Sequence, residues 1–308
     1  MGSRKALERA VDLYNRARGK AFLRKVWADL RRRPNHLLAY DVVRERVRAG
    51  LPVYRGMRSV PLEKIIGSVN RYGDFDRAFL PTQEYTIDRW LNIGRAYYED
   101  IPLPPVKLYQ VGDVYFVVDG NHRVSVAREL GREFIDAEVY ECRVRVPLRE
   151  DLEPDDLEVI GEKALFLETT RLDEQRPGAT IELTIPGGYH LLLEHIELHR
   201  YLQSTEWKRE FSLEEAAAQW YDQVYLPLVQ VIRQSGILKD FPHRTEGDLY
   251  LWVIEHQYYL REQFGDRVGA WEAARSFAAH FTSRPFKRLW HWVTQHILGR
   301  RSQDEPIY

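Results

Sequence analysis

Two β-rich runs, residues 106–110 and 114–118, flank the turn Val111-Gly112-Asp113. The second runs without a spacer into Asp119-Gly120-Asn121-His122-Arg123. A helical stretch over 124–130 follows at once and stops at Gly131, a residue suited to closing a helix in the left-handed conformation. The pattern is a β-hairpin whose second strand hands over directly to a helix. Such a junction is chemically loaded. The first helical turn leaves backbone N–H groups without intrahelical partners, and the helix dipole places partial positive charge there. An anionic phosphate answers both. Gly120 allows close approach and unusual backbone angles. Asn121 can cap the helix or hydrogen-bond an anion. Arg123 offers a planar fork suited to phosphate oxygens, and His122 a donor or a proton acceptor. Asp119 could hold a metal ion, orient His122 or take a proton from a hydroxyl. An ordinary strand-to-helix turn, with Asp119 and Asn121 satisfying local backbone groups, uses the same residues.

The surroundings extend the pattern. Upstream, residues 5–27 and 37–47 carry apolar positions at helical spacing, interrupted by Arg31-Arg32-Arg33-Pro34-Asn35, which predicts two helices joined at a Pro-Asn turn. Val60-Pro61-Leu62-Glu63-Lys64-Ile65-Ile66 reads as a strand or its start, 67–81 as a loop, 84–98 as a helix ended by Pro102 and Pro104-Pro105, and 134–146 as a further strand. The acidic stretch 149–158 reads as a linker or short helix, followed by a strand pair near 166–185. Long helical patterns rich in Trp and Tyr then cover 189–202, 213–235, 247–264 and 270–297. The expected organisation is a basic helical arm (1–50), an α/β domain (51–148), a linker (149–188) and a helical C-terminal domain (189–308).

From Val60-Pro61-Leu62-Glu63-Lys64-Ile65 through Asp-Gly-Asn-His-Arg-Val-Ser-Val-Ala-Arg-Glu-Leu-Gly, residues 59–142 resemble the ParB N-terminal/sulfiredoxin superfamily in order and spacing. That superfamily places a phosphate-binding signature before a helix. The resemblance covers about a quarter of the chain and implies an α+β chain with a small ParB/sulfiredoxin-like α/β domain that binds a nucleotide. The signature departs from the sulfiredoxins, which use a cysteine where this chain has Asn121, and from the partition proteins, whose second motif and helix-turn-helix are not found here. It is most similar to the Asp-Gly-His signature of free-serine kinases, with the histidine one position later. The implied activity is NTP-dependent phosphoryl transfer or NTP hydrolysis with ATP or CTP and Mg²⁺. The alternative is a non-catalytic regulator whose contacts to DNA or protein are switched by nucleotide.

The candidate nucleotide-binding set is Gly120, Asn121, His122, Arg123 and Ser125, with Arg71 from the 67–81 loop. Candidate catalytic residues are Asp119, His122, Asp74 and Asp76, and candidate metal ligands Asp119, Asp74 and Asp76. Mg²⁺ commonly needs only one or two carboxylates beside substrate phosphates. Turn capping by Asp74 and Asp76, with Arg71 paired to them, is the competing use. His195 and His199 lie four apart on one helical face, which suits a metal site together with His256, but core or interface histidines paired with acids fit better.

Charge qualifies the choice of partners. The net charge is −1, yet residues 1–50 hold 14 Lys/Arg against 5 Asp/Glu, a local +9 that leaves −10 for the rest. A basic amphipathic arm suits a phosphate backbone, an acidic membrane surface or the acidic remainder of its own chain. A packed helical hairpin with a solvated arginine face is the plainer alternative. The lone cysteine, Cys142, excludes an internal disulfide and a cysteine-rich zinc site. No apolar stretch approaches the ~20 residues that span a bilayer. The expected setting is cytoplasmic. The expected partners are nucleotide, a small-molecule acceptor or protein, nucleic acid through the arm, a second copy as a homodimer, and no membrane.

Overall fold

A computed structural model of the chain describes residues 2–31 and 34–264, with side chains over 3–31 and 34–257. It divides into two compact units, Met1–Leu165 and Phe166–Tyr308, where the sequence suggests four segments. The chain is mixed α/β with a six-stranded mixed sheet.

The first unit opens with helix α1 (Gly2–Arg31). The breaker Pro34-Asn35 follows, then strand β1 (Leu38–Ala39), helix α2 (Tyr40–Arg46) and strand β2 (Val53–Pro61). A 3₁₀ turn over Leu62–Lys64 leads to β3 (Ile65–Ser68), so the stretch that reads as one strand is two strand ends joined by a turn. Helix α3 (Ile87–Tyr98), strands β4 (Val106–Val111) and β5 (Val114–Asp119), helix α4 (Asn121–Glu129) and strand β6 (Phe134–Cys142) follow as expected. The strand order is β1-β3-β5-β4-β6-β2. β1, β3 and β5 run parallel, β5 pairs antiparallel with β4, β4 parallel with β6, and β6 antiparallel with β2.

The sheet is covered on both faces, and β5 shows why its sequence is nearly all apolar. Tyr115 and Val117 face one core with Leu13, Tyr14, Ala17, Phe75, Phe79, Trp90 and Val124. Val114 and Phe116 face the other with Tyr40, Val43, Cys142, Leu148 and Leu152. Alternation along a strand sends neighbours to opposite faces, so a strand buried on both sides loses its polar positions. Gly67 is fixed by the same crowding. A Cβ there would lie 2.4 Å from both the Leu38 carbonyl oxygen and the Phe116 ring.

Helix α5 (Asp156–Thr170) spans the division. The second unit continues with α6 (Leu172–Gln175), α7 (Gly188–Trp207), α8 (Leu213–Trp220), a π-helical turn over Tyr221–Tyr225, α9 (Leu226–Ser235) and α10 (Glu246–Phe264). The strand pair expected near 166–185 does not form among the described residues. Phe166 to Thr170 complete α5, with the Thr170 hydroxyl donating back to the Phe166 carbonyl at 2.7 Å. Ile181 and Leu183 are buried in an extended segment that no strand pairs. Thr184 is held instead by the buried carboxylate of Asp248, which accepts from its N–H at 2.9 Å and its hydroxyl at 2.7 Å. The helical expectation over 270–297 lies outside the described residues. The aromatic stripes serve packing: Trp220 and Tyr250 meet edge to face at 5.7 Å between centroids, and Tyr225 lies 5.0 Å from Tyr250.

Candidate functional site

The parallel strands β3 and β5 end side by side, and that end is where the unit concentrates polar chemistry. Ligands of α/β sheets commonly lie beyond the carboxyl ends of parallel strands. The Ser68 hydroxyl donates to the Val117 carbonyl at 3.2 Å and accepts from the Arg71 N–H at 3.3 Å, so loop 69–83 leaves β3 beside the end of β5. Asp119 closes β5, and the chain turns at Gly120, φ 106° and ψ 22°, into α4. No side chain caps this helix. A Cβ on Gly120 would sit 2.6 Å from Val106 Cγ1 and 3.0 Å from Arg123 Nε, so glycine is required both by conformation and by space.

Asn121 and His122 form the first turn of α4 and are buried, at 6% and 4% exposure. Asn121 Oδ1 and His122 Nδ1 have no hydrogen-bond partner. Buried polar atoms are nearly always paired, so two orphans on adjacent residues of an uncapped helix start are unusual. The Phe75 ring meets the imidazole edge to face at 5.2 Å. Burial, reinforced by the fields of Arg89 and Arg71 and opposed by Asp74, lowers the His122 pKa to about 4. The imidazole is therefore neutral, in a surrounding that favours negative charge.

Two cations thus bear on this turn. Arg71 donates to Asp74 Oδ2 at 3.0 Å, while the Tyr85 hydroxyl donates to Asp74 Oδ1. Arg89, exposed on α3, has no ion-pair partner among the described residues. Arg89 and Tyr85 were not found by sequence reasoning. Nothing local separates Arg89 from Arg95 on the same helix; the fold brings it near by burying the adjacent Trp90, whose indole N–H donates to Ser125 at 2.8 Å.

Other expected site residues are engaged elsewhere. The Arg123 guanidinium donates to Asp119 Oδ2 at 2.5 Å, to the Pro105 carbonyl at 2.9 Å and to the Pro104 carbonyl. It braces the approach to β4 rather than facing Arg71. Ser125, 1% exposed, holds Trp90. Asp76 is fully buried. Its Oδ1 accepts from the N–H groups of Ala78 and Leu80 at 2.9 and 2.8 Å, and its Oδ2 from Arg24 Nε at 2.9 Å. Burial raises its pKa against these partners.

Each carboxylate of the candidate metal-binding set is already engaged. Asp119 is paired with Arg123, Asp74 with Arg71 and Tyr85, and Asp76 with Arg24 and two amides. Among the described residues no three of His, Cys, Asp or Glu gather as metal ligands. These residues do not form a resident magnesium site.

In the second unit, His195 Nδ1 lies 3.3 Å from the Tyr250 hydroxyl, which also accepts from the Trp220 indole at 3.2 Å. Burial lowers the pKa of both His195 and His199. His195 is thus a packed core histidine. No helix among the described residues is long and apolar enough to cross a membrane.

Among known proteins, a family model described as a domain of unknown function (DUF4032) matches residues 190–281, within the second unit and outside the site on α4. No curated protein matches the chain.

Proposed function

We propose that the first unit binds a nucleotide by its phosphates at the start of α4 and transfers or hydrolyses the terminal phosphoryl group. The observation that carries this reading is the buried, unpartnered pair Asn121 and His122 on an uncapped helix start, under the positive fields of Arg71 and Arg89. A phosphate supplies what that turn lacks: acceptors for the helix N–H groups and negative charge for the cations. The resemblance of 59–142 to a nucleotide-binding superfamily points the same way.

Chemistry at this site would rest on positioning and charge neutralisation. Arg71 is paired with Asp74. A phosphate beside Arg71 competes for the same guanidinium, so ligand binding draws Arg71 away and leaves Asp74 Oδ2 open as the proton acceptor for an attacking hydroxyl or water.

A second reading follows from the ion pairs of Asp119 and Asp76, which leave one carboxylate at most for catalysis. In that reading the same pocket binds nucleotide without turnover and switches a contact to a partner. Calorimetric titration of the full chain with ATP, CTP and GTP, with and without Mg²⁺, tests the shared premise. Saturable binding that Arg71→Ala weakens supports it, and no binding of any nucleotide removes both readings. Phosphate release lost in Asp74→Asn, with binding retained, separates catalysis from switching.

A further inference from the structure

Helix α1 is apolar on two opposite faces. Its inner face buries Ala6, Ala10, Leu13, Tyr14, Ala17 and Ala21. On the outer side of its second half, Phe22, Leu23, Val26, Trp27 and Leu30 are exposed by 65, 60, 40, 59 and 74%. At 100° per residue these five and Gly19 form one continuous stripe, with its centre opposite the buried row. Contiguous exposed apolar surface of this kind marks an interaction site.

Cations border the stripe. Arg16 is exposed at its N-terminal end, and the Arg31 guanidinium lies 5.3 Å over the Trp27 ring. Arg32 and Arg33 follow in the sequence. Three other basic residues of this half are engaged within the fold: Arg18 with the Thr82 carbonyl at 2.5 Å, Arg24 with Asp76, and Lys20 with Glu129. Lys25 lines a cleft with Gly73, Phe75 and Thr82 on the loop side of the helix, so Arg16 and Arg31 are the charges beside the apolar stripe.

We propose that this outer face of α1, residues 19–31, docks on an anionic lipid bilayer surface, with the five apolar side chains entering the headgroup–acyl boundary and Arg16 and Arg31 meeting lipid phosphates. An interfacial helix combines an apolar face, a tryptophan and flanking Lys/Arg in this way. Nucleic acid offers charge but nothing apolar for Phe22, Val26 and Leu30. A second copy offers apolar surface but sets Arg16 and Arg31 against their own kind, which opposes association. The sequence reading expects no membrane partner. Lying on a bilayer differs from crossing it, and α1 meets the requirements of the former.

The test is co-sedimentation of the full chain with vesicles of phosphatidylcholine alone and of phosphatidylcholine mixed with phosphatidylglycerol. Binding to the mixed vesicles alone, decreasing with added salt, is expected. Arg16→Ala and Arg31→Ala each weaken it by about fivefold, and the pair Phe22→Ser with Leu30→Ser by on the order of tenfold or more. All four positions are exposed, so the thermal melt stays unchanged. The proposal is overturned by equal binding to both vesicle types, by no binding, or by full binding of the double serine variant. It is also overturned by duplex DNA binding in place of vesicles, or by a dimer in light scattering that the serine variant dissolves.

Discussion

Arg123 and Asp119 close the strand-to-helix junction on itself: the guanidinium reaches back four residues to the carboxylate at 2.5 Å while two of its hydrogens serve the Pro104 and Pro105 carbonyls. The consequence is that Arg123, at 9% exposure, is a brace. Arg123→Ala is expected to lower stability by about 2–4 kcal/mol, because two carbonyls and a carboxylate lose a common donor. Urea denaturation measures this. Nucleotide affinity, titrated under native conditions, is expected to change by less than about threefold, within the spread of an indirect effect.

Arg71 and Arg89 are expected to behave in the opposite way. Each is exposed, and each bears electrostatically on His122. Arg71→Ala or Arg89→Ala is expected to leave the melting temperature nearly unchanged and to weaken nucleotide binding by roughly tenfold, the scale of one charge-assisted hydrogen bond. Calorimetry at two salt concentrations checks both the loss and its electrostatic origin.

His122 makes stability depend on pH. Its pKa falls from 6.5 to about 4 on folding because burial penalises the cation. The unfolded chain therefore binds the proton first as pH falls. The contribution is complete above 6.5 and is lost as pH drops toward about 4, a change of roughly 3 kcal/mol. His122→Gln removes it, so acid unfolding curves of parent and variant are expected to converge across this window. A bound phosphate favours the imidazolium, so nucleotide affinity is expected to rise with acidification in the parent and not in the variant.

Gly120→Ala tests the turn itself. The left-handed backbone and the 2.6 Å approach of a Cβ to Val106 act together. A loss of about 2 kcal/mol or more is expected, larger than for a surface glycine, and visible as a lowered midpoint in chemical denaturation.

The hairpin, α3, α4 and β6 were legible because each carries its own local signal: a Gly-Asp turn, a helical apolar row, a proline stop, an alternating run. β2 was missed because it carries none. It is an edge strand exposed on both faces through Ser59, broken in register between Tyr54 and Met57, with Gly56 at φ 91°. β1 is two residues long and exists through its pairing with β3. At the site, the strand-to-helix junction was legible, but the helix begins at Asn121 rather than 124, which puts Asn121 and His122 in its first turn with Gly120 before them. Turn capping by Asp76 and the Arg71–Asp74 pair were among the readings offered, but the hold of Arg123 on the Pro104 carbonyl and of Arg24 on Asp76 was not, since those partners lie 19 and 52 residues away. Arg89 had no local mark at all.

The contacts from α1 to the 69–83 loop carry a practical meaning. Arg24 grips Asp76 within the loop, and Arg18 grips Pro81 and Thr82 near its end. The opening helix thus acts as a splint for the segment that presents Arg71 and Asp74. On the proposed reading, a truncated protein beginning at residue 34 keeps Arg71 and Asp74 but loses the contacts that hold their loop, so weaker nucleotide binding is expected. A force or a surface acting on the splint would be felt at the 69–83 loop.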